Sequence, residues 1–131
     1  MKIEYRKYGI KYSPEIKVIL KYRRNIVDLY ALVDSGADIC IFPSKVGDDL
    51  GLNVKSVKPE KSIGVGGRKI KIPTYIHNLK LIVLGREFRI RCGFIDELPI
   101  PLLGRNCFFN RFIVTFYQRE KYMDIKPYVI K

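Results

Sequence analysis

Ala31-Leu32-Val33-Asp34-Ser35-Gly36-Ala37-Asp38 is the stretch that decides the fold. An apolar run with strand character ends abruptly in an acid, a hydroxyl and a glycine. Gly36 permits a tight loop, and the apolar residues before it place Asp34 at the end of a buried strand. A carboxylate in that position is costly to bury unless its surroundings use it. Asp-Ser-Gly alone also makes ordinary turns. The apolar lead-in, with Ala37-Asp38 behind, sets this triplet apart from a simple turn.

Two further segments stand out downstream. Ile63-Gly64-Val65-Gly66-Gly67 carries glycine at three of its last four positions, between strand-like runs. It predicts a flexible hairpin tip able to approach a ligand's backbone and to open and close. A phosphate-cradling loop would need a following helix and a Gly-Lys-Ser/Thr run, and neither is present. Pro99-Ile100-Pro101-Leu102-Leu103-Gly104-Arg105-Asn106 leads an apolar pair into Gly-Arg-Asn. Taken alone, it is a strand-to-helix corner with an exposed arginine.

Outward from these segments the chain reads as β. Short runs rich in Ile, Val, Tyr and Phe predict strands at Ile3–Lys7, Ile16–Tyr22, Ile26–Val33, Lys69–Ile76, Leu79–Leu84, Glu87–Ile95, Phe112–Tyr117 and Tyr122–Ile125. Alternation is clearest where Phe88, Ile90, Cys92 and Phe94 face one way and Arg89 and Arg91 the other. Gly85-Arg86 predicts a tight hairpin turn. Helix is confined to Ser44–Leu50, ending at Gly51, and to Asn106–Phe112 after Gly104. Without repeats or linkers, residues 1–131 read as one all-β domain, a closed or strongly curved barrel with a short C-terminal helix.

With 131 residues, 47% of them hydrophobic, the chain can bury a core and is too apolar for disorder. No apolar run approaches the roughly 18 residues of a membrane span. The charged N-terminus lacks a signal-peptide core, so the expectation is a soluble, cytoplasmic protein without membrane contact. Cys40, Cys92 and Cys107 are odd in number and widely spaced, and His77 is the one histidine. No metal site is expected from them. The cysteines read as reduced, packed apolar residues, and His77 as an ordinary strand or turn residue. The formal charge of +12 is the unusual feature. It allows contact with nucleic acid, but Lys and Arg are scattered and alternate with apolar residues, as in Arg68-Lys69-Ile70-Lys71-Ile72. That pattern reads as a solvated strand face that could also steer substrates, with no nucleic-acid partner expected.

In order and spacing, the three segments resemble the retroviral aspartic proteases and their cellular relatives, including the protease-like domain of DNA-damage-inducible proteins. That pattern is two apolar residues, Asp-Thr/Ser-Gly-Ala, a Gly-rich flap, then two apolar residues and Gly-Arg-Asn/Asp. The resemblance spans roughly Tyr30 to Phe112. It implies the single-lobe acid protease fold and a homodimeric endopeptidase acting on peptide or unfolded protein, with no cofactor or metal. Two carboxyl groups about 3 Å apart share a proton in aspartic proteases generally. The ionised one activates a water, and the protonated one hydrogen-bonds the scissile carbonyl. Because this chain has one such triplet, the second aspartate would come from a second copy across a two-fold axis.

The resemblance also implies roles. Asp34, Ser35 and Gly36 would be catalytic, with Ser35 bonding across the dimer axis and Gly36 making room for substrate backbone. Asp38 would bind substrate main chain and pair with Arg105 after Gly104. Gly64, Val65 and Gly66 would close over the peptide, and Ala37, Ile100 and Leu102 would line apolar pockets. Ser35 stands where viral enzymes commonly carry Thr. The chain also extends beyond a minimal viral protease at both ends, and residues 112–125 read as an extra hairpin. The rival expectations are a silent dimeric peptide-binding module of the same fold and a basic nucleic-acid-binding barrel.

Overall fold

A strand whose side chains alternate between buried and exposed must have one face covered, and six of the strands here do this by closing on themselves. The computed structural model describes residues 1–61, 63–65 and 68–129. The strands are β1 Lys2–Glu4, β2 Arg6–Tyr8, β3 Lys11–Ser13, β4 Glu15–Tyr22, β5 Asn25–Val33, β6 Ile41–Pro43, β7 Ile63–Val65, β8 Arg68–Ile70, β9 Tyr75–Val83, β10 Arg86–Ile95, β11 Leu102–Leu103, β12 Phe112–Tyr117 and β13 Tyr122–Pro127. A short helix, α1 Ser44–Asp49, follows β6, and a π-helical turn covers Arg105–Phe109. The barrel runs β10-β6-β11-β5-β4-β9 and back to β10. Val18, Leu20, Ala31, Val33, Leu79, Leu81, Ile90, Cys92 and Phe94 point inward and are buried.

The expected all-β barrel with a short C-terminal helix is what forms. Several boundaries differ for local physical reasons. The run expected at Lys69–Ile76 is split: β8 stops at Ile70 and β9 starts at Tyr75. Pro73 between them has no N–H for a ladder and restricts Ile72. Thr74 instead exchanges both backbone hydrogen bonds with Glu60, at 2.8 and 2.9 Å. Leu79–Leu84 then merges into β9, because His77 and Asn78 continue the strand. Asn78 is exposed, and the His77 Nε2 lies 2.7 Å from the Val54 carbonyl. At the β9–β10 turn the two positive-φ residues are Leu84 (52°) and Gly85 (74°), so the turn falls one residue earlier than Gly85-Arg86.

The expected N-terminal strand Ile3–Lys7 breaks at the buried Tyr5. Its first part, β1, joins the β12–β13 hairpin in the order β1-β13-β12. The N-terminal ammonium donates to the Ile125 carbonyl at 2.8 Å. The hairpin expected at residues 112–125 is therefore present, but its β13 side is already occupied by this chain's own N-terminus.

One expectation is corrected outright. Cys40 and Cys107 are paired as a disulfide, with Cα atoms 6.1 Å apart, and only Cys92 is free. A separation of 67 residues hides that proximity from any local pattern.

Candidate active site

The barrel order explains why Asp34 sits where it does. Although β5 and β6 are successive barrel strands, they do not pair. The two-residue β11 lies between them, parallel to β5 (Leu102 opposite Leu32, Leu103 opposite Val33) and antiparallel to β6 (Leu102 opposite Ile41). The loop from Asp34 to Cys40 must therefore cross the end of β11, and the chain leaving β11 at Gly104 runs against that loop.

The crossing is held by backbone. The Asp34 N–H donates to the Leu103 carbonyl at 3.0 Å, Arg105 N–H to Ala37 O at 2.9 Å, and Asn106 N–H to Asp38 O at 3.0 Å. Within the loop, the Gly36 N–H donates to Asp34 Oδ1 at 2.9 Å. This is an Asx-type turn in which the carboxylate accepts from the backbone two residues on. Asp34 is partly buried and Ser35 exposed.

Gly104 is where the crossing is tightest. Its φ of −98° is open to any residue, so conformation does not demand glycine here. Space does: a Cβ would lie 2.7 Å from the Ala37 carbonyl oxygen and 2.6 Å from the Ile39 carbonyl carbon. Arg105 follows directly. Its Nη1 donates to the Ser35 carbonyl at 2.8 Å, and its Nη2 bonds and ion-pairs with the Asp38 carboxylate. Both side chains are about half exposed, 51% and 48%. Such a pair adds little stability, so its main effect is to hold the loop.

Of the other residues singled out in the sequence, Ala37 is fully buried and Leu102 nearly so. They pack with Ile41 and Ile95 in a second apolar cluster, flanked by partly buried Ile39, Ile76, Leu98 and Ile100. The partly buried side chains of this cluster offer apolar surface, while Ala37 and Leu102 are buried. Ile100 also lines a groove of about 710 Å³ with Tyr8, Tyr12 and Tyr30. The Tyr8 hydroxyl there donates to Glu15 Oε1 at 2.7 Å, which raises the phenol above its ordinary range. Gly64 and Val65 belong to β7, paired with Lys69 and Arg68 of β8. Gly66 lies outside the described residues.

Sequence reasoning passed over two supports of this loop. Asn106 accepts from the Cys40 N–H through Oδ1 at 3.3 Å and donates to the Arg91 carbonyl at 3.2 Å. Its position beside Gly104-Arg105 was the available signal. The Cys40–Cys107 bond ties the far end of the loop to the π-helical turn, and no local signal marks it. Among the described residues, no group of three or more His, Cys, Asp or Glu side chains is placed to hold a metal ion.

A family model described as cauliflower mosaic virus peptidase (A3) matches residues 12–126. The chain belongs to that family. The match takes in the Asp34 loop, the β7–β8 hairpin, the Gly104-Arg105 crossing and most of the β12–β13 hairpin. The fold of this A3-family chain is also that of solved proteases. The EIAV protease complexed with the inhibitor HBY-793 is 23% identical, with a TM-score of 0.57 over 80% of this chain and 93% of that one. A retropepsin-like aspartic protease from Rickettsia conorii is 18% identical, with a TM-score of 0.67 over 95% of this chain and 90% of that one. No curated protein sequence matches the chain.

Proposed function

We propose that this protein is an aspartic endopeptidase that works as a homodimer, with one Asp34 from each subunit. The observation that carries the reading is the Asp34-Ser35-Gly36 loop, clamped by Arg105 and seated on Gly104, in a chain with a single such triplet. Membership of a peptidase family and the likeness of fold to retropepsin-like proteases support it.

Two facing Asp34 carboxyls would share one proton and hold a water between them. The ionised carboxylate takes the water's proton while the neutral one donates to the scissile carbonyl oxygen. The water oxygen bonds to the carbonyl carbon, giving a tetrahedral intermediate. A proton then passes to the leaving nitrogen as the C–N bond breaks. Ser35 would bridge the two loops across the axis, and Gly36 would leave room for the substrate main chain. Asp38 would bind that main chain from the position Arg105 sets. Gly64, Val65 and Gly66 would cover the peptide. Ile100 would line an apolar subsite floored by Ala37 and Leu102, which favours extended hydrophobic substrates.

Cleavage of a peptide library between pH 4 and 7, followed with sedimentation mass, tests this. Wild type should cleave as a dimer, lose specific activity on dilution below its dimer dissociation constant, and lose cleavage in Asp34→Asn. Cleavage that survives Asp34→Asn, or that proceeds from a monomer, overturns the reading. A dimer that binds peptides without cutting them identifies a silent binding module instead.

A further inference from the structure

Three cations stand side by side on the outside of the barrel. Lys21 of β4 is opposite Lys80 of β9, and Lys80 is opposite Arg89 of β10. Their chain neighbours Leu20, Leu79, Leu81 and Ile90 are buried, so strand alternation puts all three outside. In the next row Asn78 is opposite Arg91. Adjacent strands are about 4.8 Å apart, so the row is on the order of 10 Å long. Like charges directly opposite destabilise a sheet, and a face arranged for stability alone would alternate its signs. Four residues back along β4 it does: Lys17 is paired with Asp28 of β5 at 3.1 Å. Along the row the ion pair present is a loose one, Glu87 to Lys80 at 3.8 Å.

The row lines a cleft of about 320 Å³ shared with Tyr22, Arg23 and Asn78. The geometry points to this cleft as a binding site for the phosphate backbone of single-stranded nucleic acid. Fixed cations along a concave path neutralise successive phosphates, and an aromatic ring at the same site gives a base a surface to stack on. A lipid surface fits less well, because it is flat, whereas this cleft is concave and sets Lys21, Arg23, Lys80 and Arg89 beside the apolar surface of Tyr22 and Leu79. The cleft lies at the β4–β5 turn, where Tyr22 pairs with Asn25. Asp34 follows the other end of β5, about 30 Å away by strand rise. Nucleic acid bound here would leave the Asp34 loop open. The site thus gives part of the +12 charge a role, and it does not depend on what Asp34 does.

The test is fluorescence anisotropy with a labelled single-stranded RNA of mixed sequence, read at several salt concentrations. Lys21→Gln/Lys80→Gln/Arg89→Gln is compared with Lys45→Gln/Lys58→Gln/Lys126→Gln, which carries the same net charge. The first should bind tenfold or more weakly, with a log–log salt slope shallower by about 2 for three lost phosphate contacts. The second should lose less than threefold. Arg89→Glu alone, at an exposed position, should lose about fivefold, which keeps the test decisive if the triple variant folds poorly. Equal losses in the two triple variants would reduce the effect to net charge and overturn the proposal. So would a wild type that does not bind RNA at 50 mM salt. Selective loss of binding to anionic phospholipid vesicles, with RNA binding unchanged, overturns it in favour of a membrane contact.

Discussion

Replacing Gly104 by alanine adds one methyl group where two backbone segments already touch. The new Cβ would overlap the Ile39 carbonyl oxygen and sit 2.7 Å from the Ala37 oxygen, so the shortfall from the 3.4 Å of ordinary contact is at least about 0.7 Å. Its neighbours are carbonyl groups, which cannot rotate away as a side-chain tip would. The Asp34–Cys40 loop must therefore lift from the chain leaving β11. That lift stretches the Arg105-to-Ala37 and Asn106-to-Asp38 hydrogen bonds from 2.9 and 3.0 Å to the edge of bonding. Overpacking costs about 1–3 kcal/mol and each lost hydrogen bond about 1 kcal/mol, so roughly 3–5 kcal/mol is expected. A displacement approaching 1 Å near the reacting groups costs on the order of 100-fold in rate. Urea unfolding and kcat/KM on a cleaved peptide read the two effects. Gly85→Ala is the control. With no atom within 4 Å and φ of 74°, it meets only the left-handed backbone penalty of about 1–2 kcal/mol and should leave kcat/KM unchanged. A Gly104→Ala protein within about 1 kcal/mol and threefold of wild type would refute the steric account of this crossing.

Thiol counting checks the cysteine pairing. Without reductant, a thiol reagent should find none in the native protein, since burial pushes the Cys92 thiol well up, and one after denaturation; reduction should expose all three. Reduction should also lower stability by roughly 4 kcal/mol, from the loop-closure entropy of a 67-residue separation. Three titratable thiols in unreduced protein would contradict the bond. Arg105→Lys keeps the charge but cannot reach both the Ser35 carbonyl and Asp38. Stability should fall by about 1 kcal/mol or less while kcat/KM falls tenfold or more, and the reverse pattern would mean that Arg105 supports the fold rather than the loop. The hydrogen bond and charge of Lys17 hold the Asp28 carboxyl below its ordinary value. The pair's contribution is thus present above about pH 4 and is lost as pH falls through the depressed folded value. In an NMR titration, Lys17→Met should return Asp28 to the ordinary carboxylate range; an unmoved titration would show that the pair does not form in solution.

What the amino-acid sequence by itself determined was local or ordered along the chain. Alternation over Phe88–Phe94 placed a barrel strand because burial on one face imposes a period of two. Asp34-Ser35-Gly36, the glycine-rich stretch and Gly104-Arg105 stood out because each breaks a local pattern, and their order along the chain carried the resemblance to retroviral aspartic proteases. Contacts between distant segments were left to the tertiary structure. β11 slips between β5 and β6, and this brings Arg105 to Ser35 and Asp38 and leaves no room for a side chain at Gly104. Barrel closure brings Cys40 to Cys107, and the docking of β1 on β13 uses an edge that the hairpin alone left open. The aligned row of Lys21, Lys80 and Arg89 likewise exists only once three strands share a register. Each residue's alternation is written locally, but which residues stand opposite each other is set by how the sheet closes.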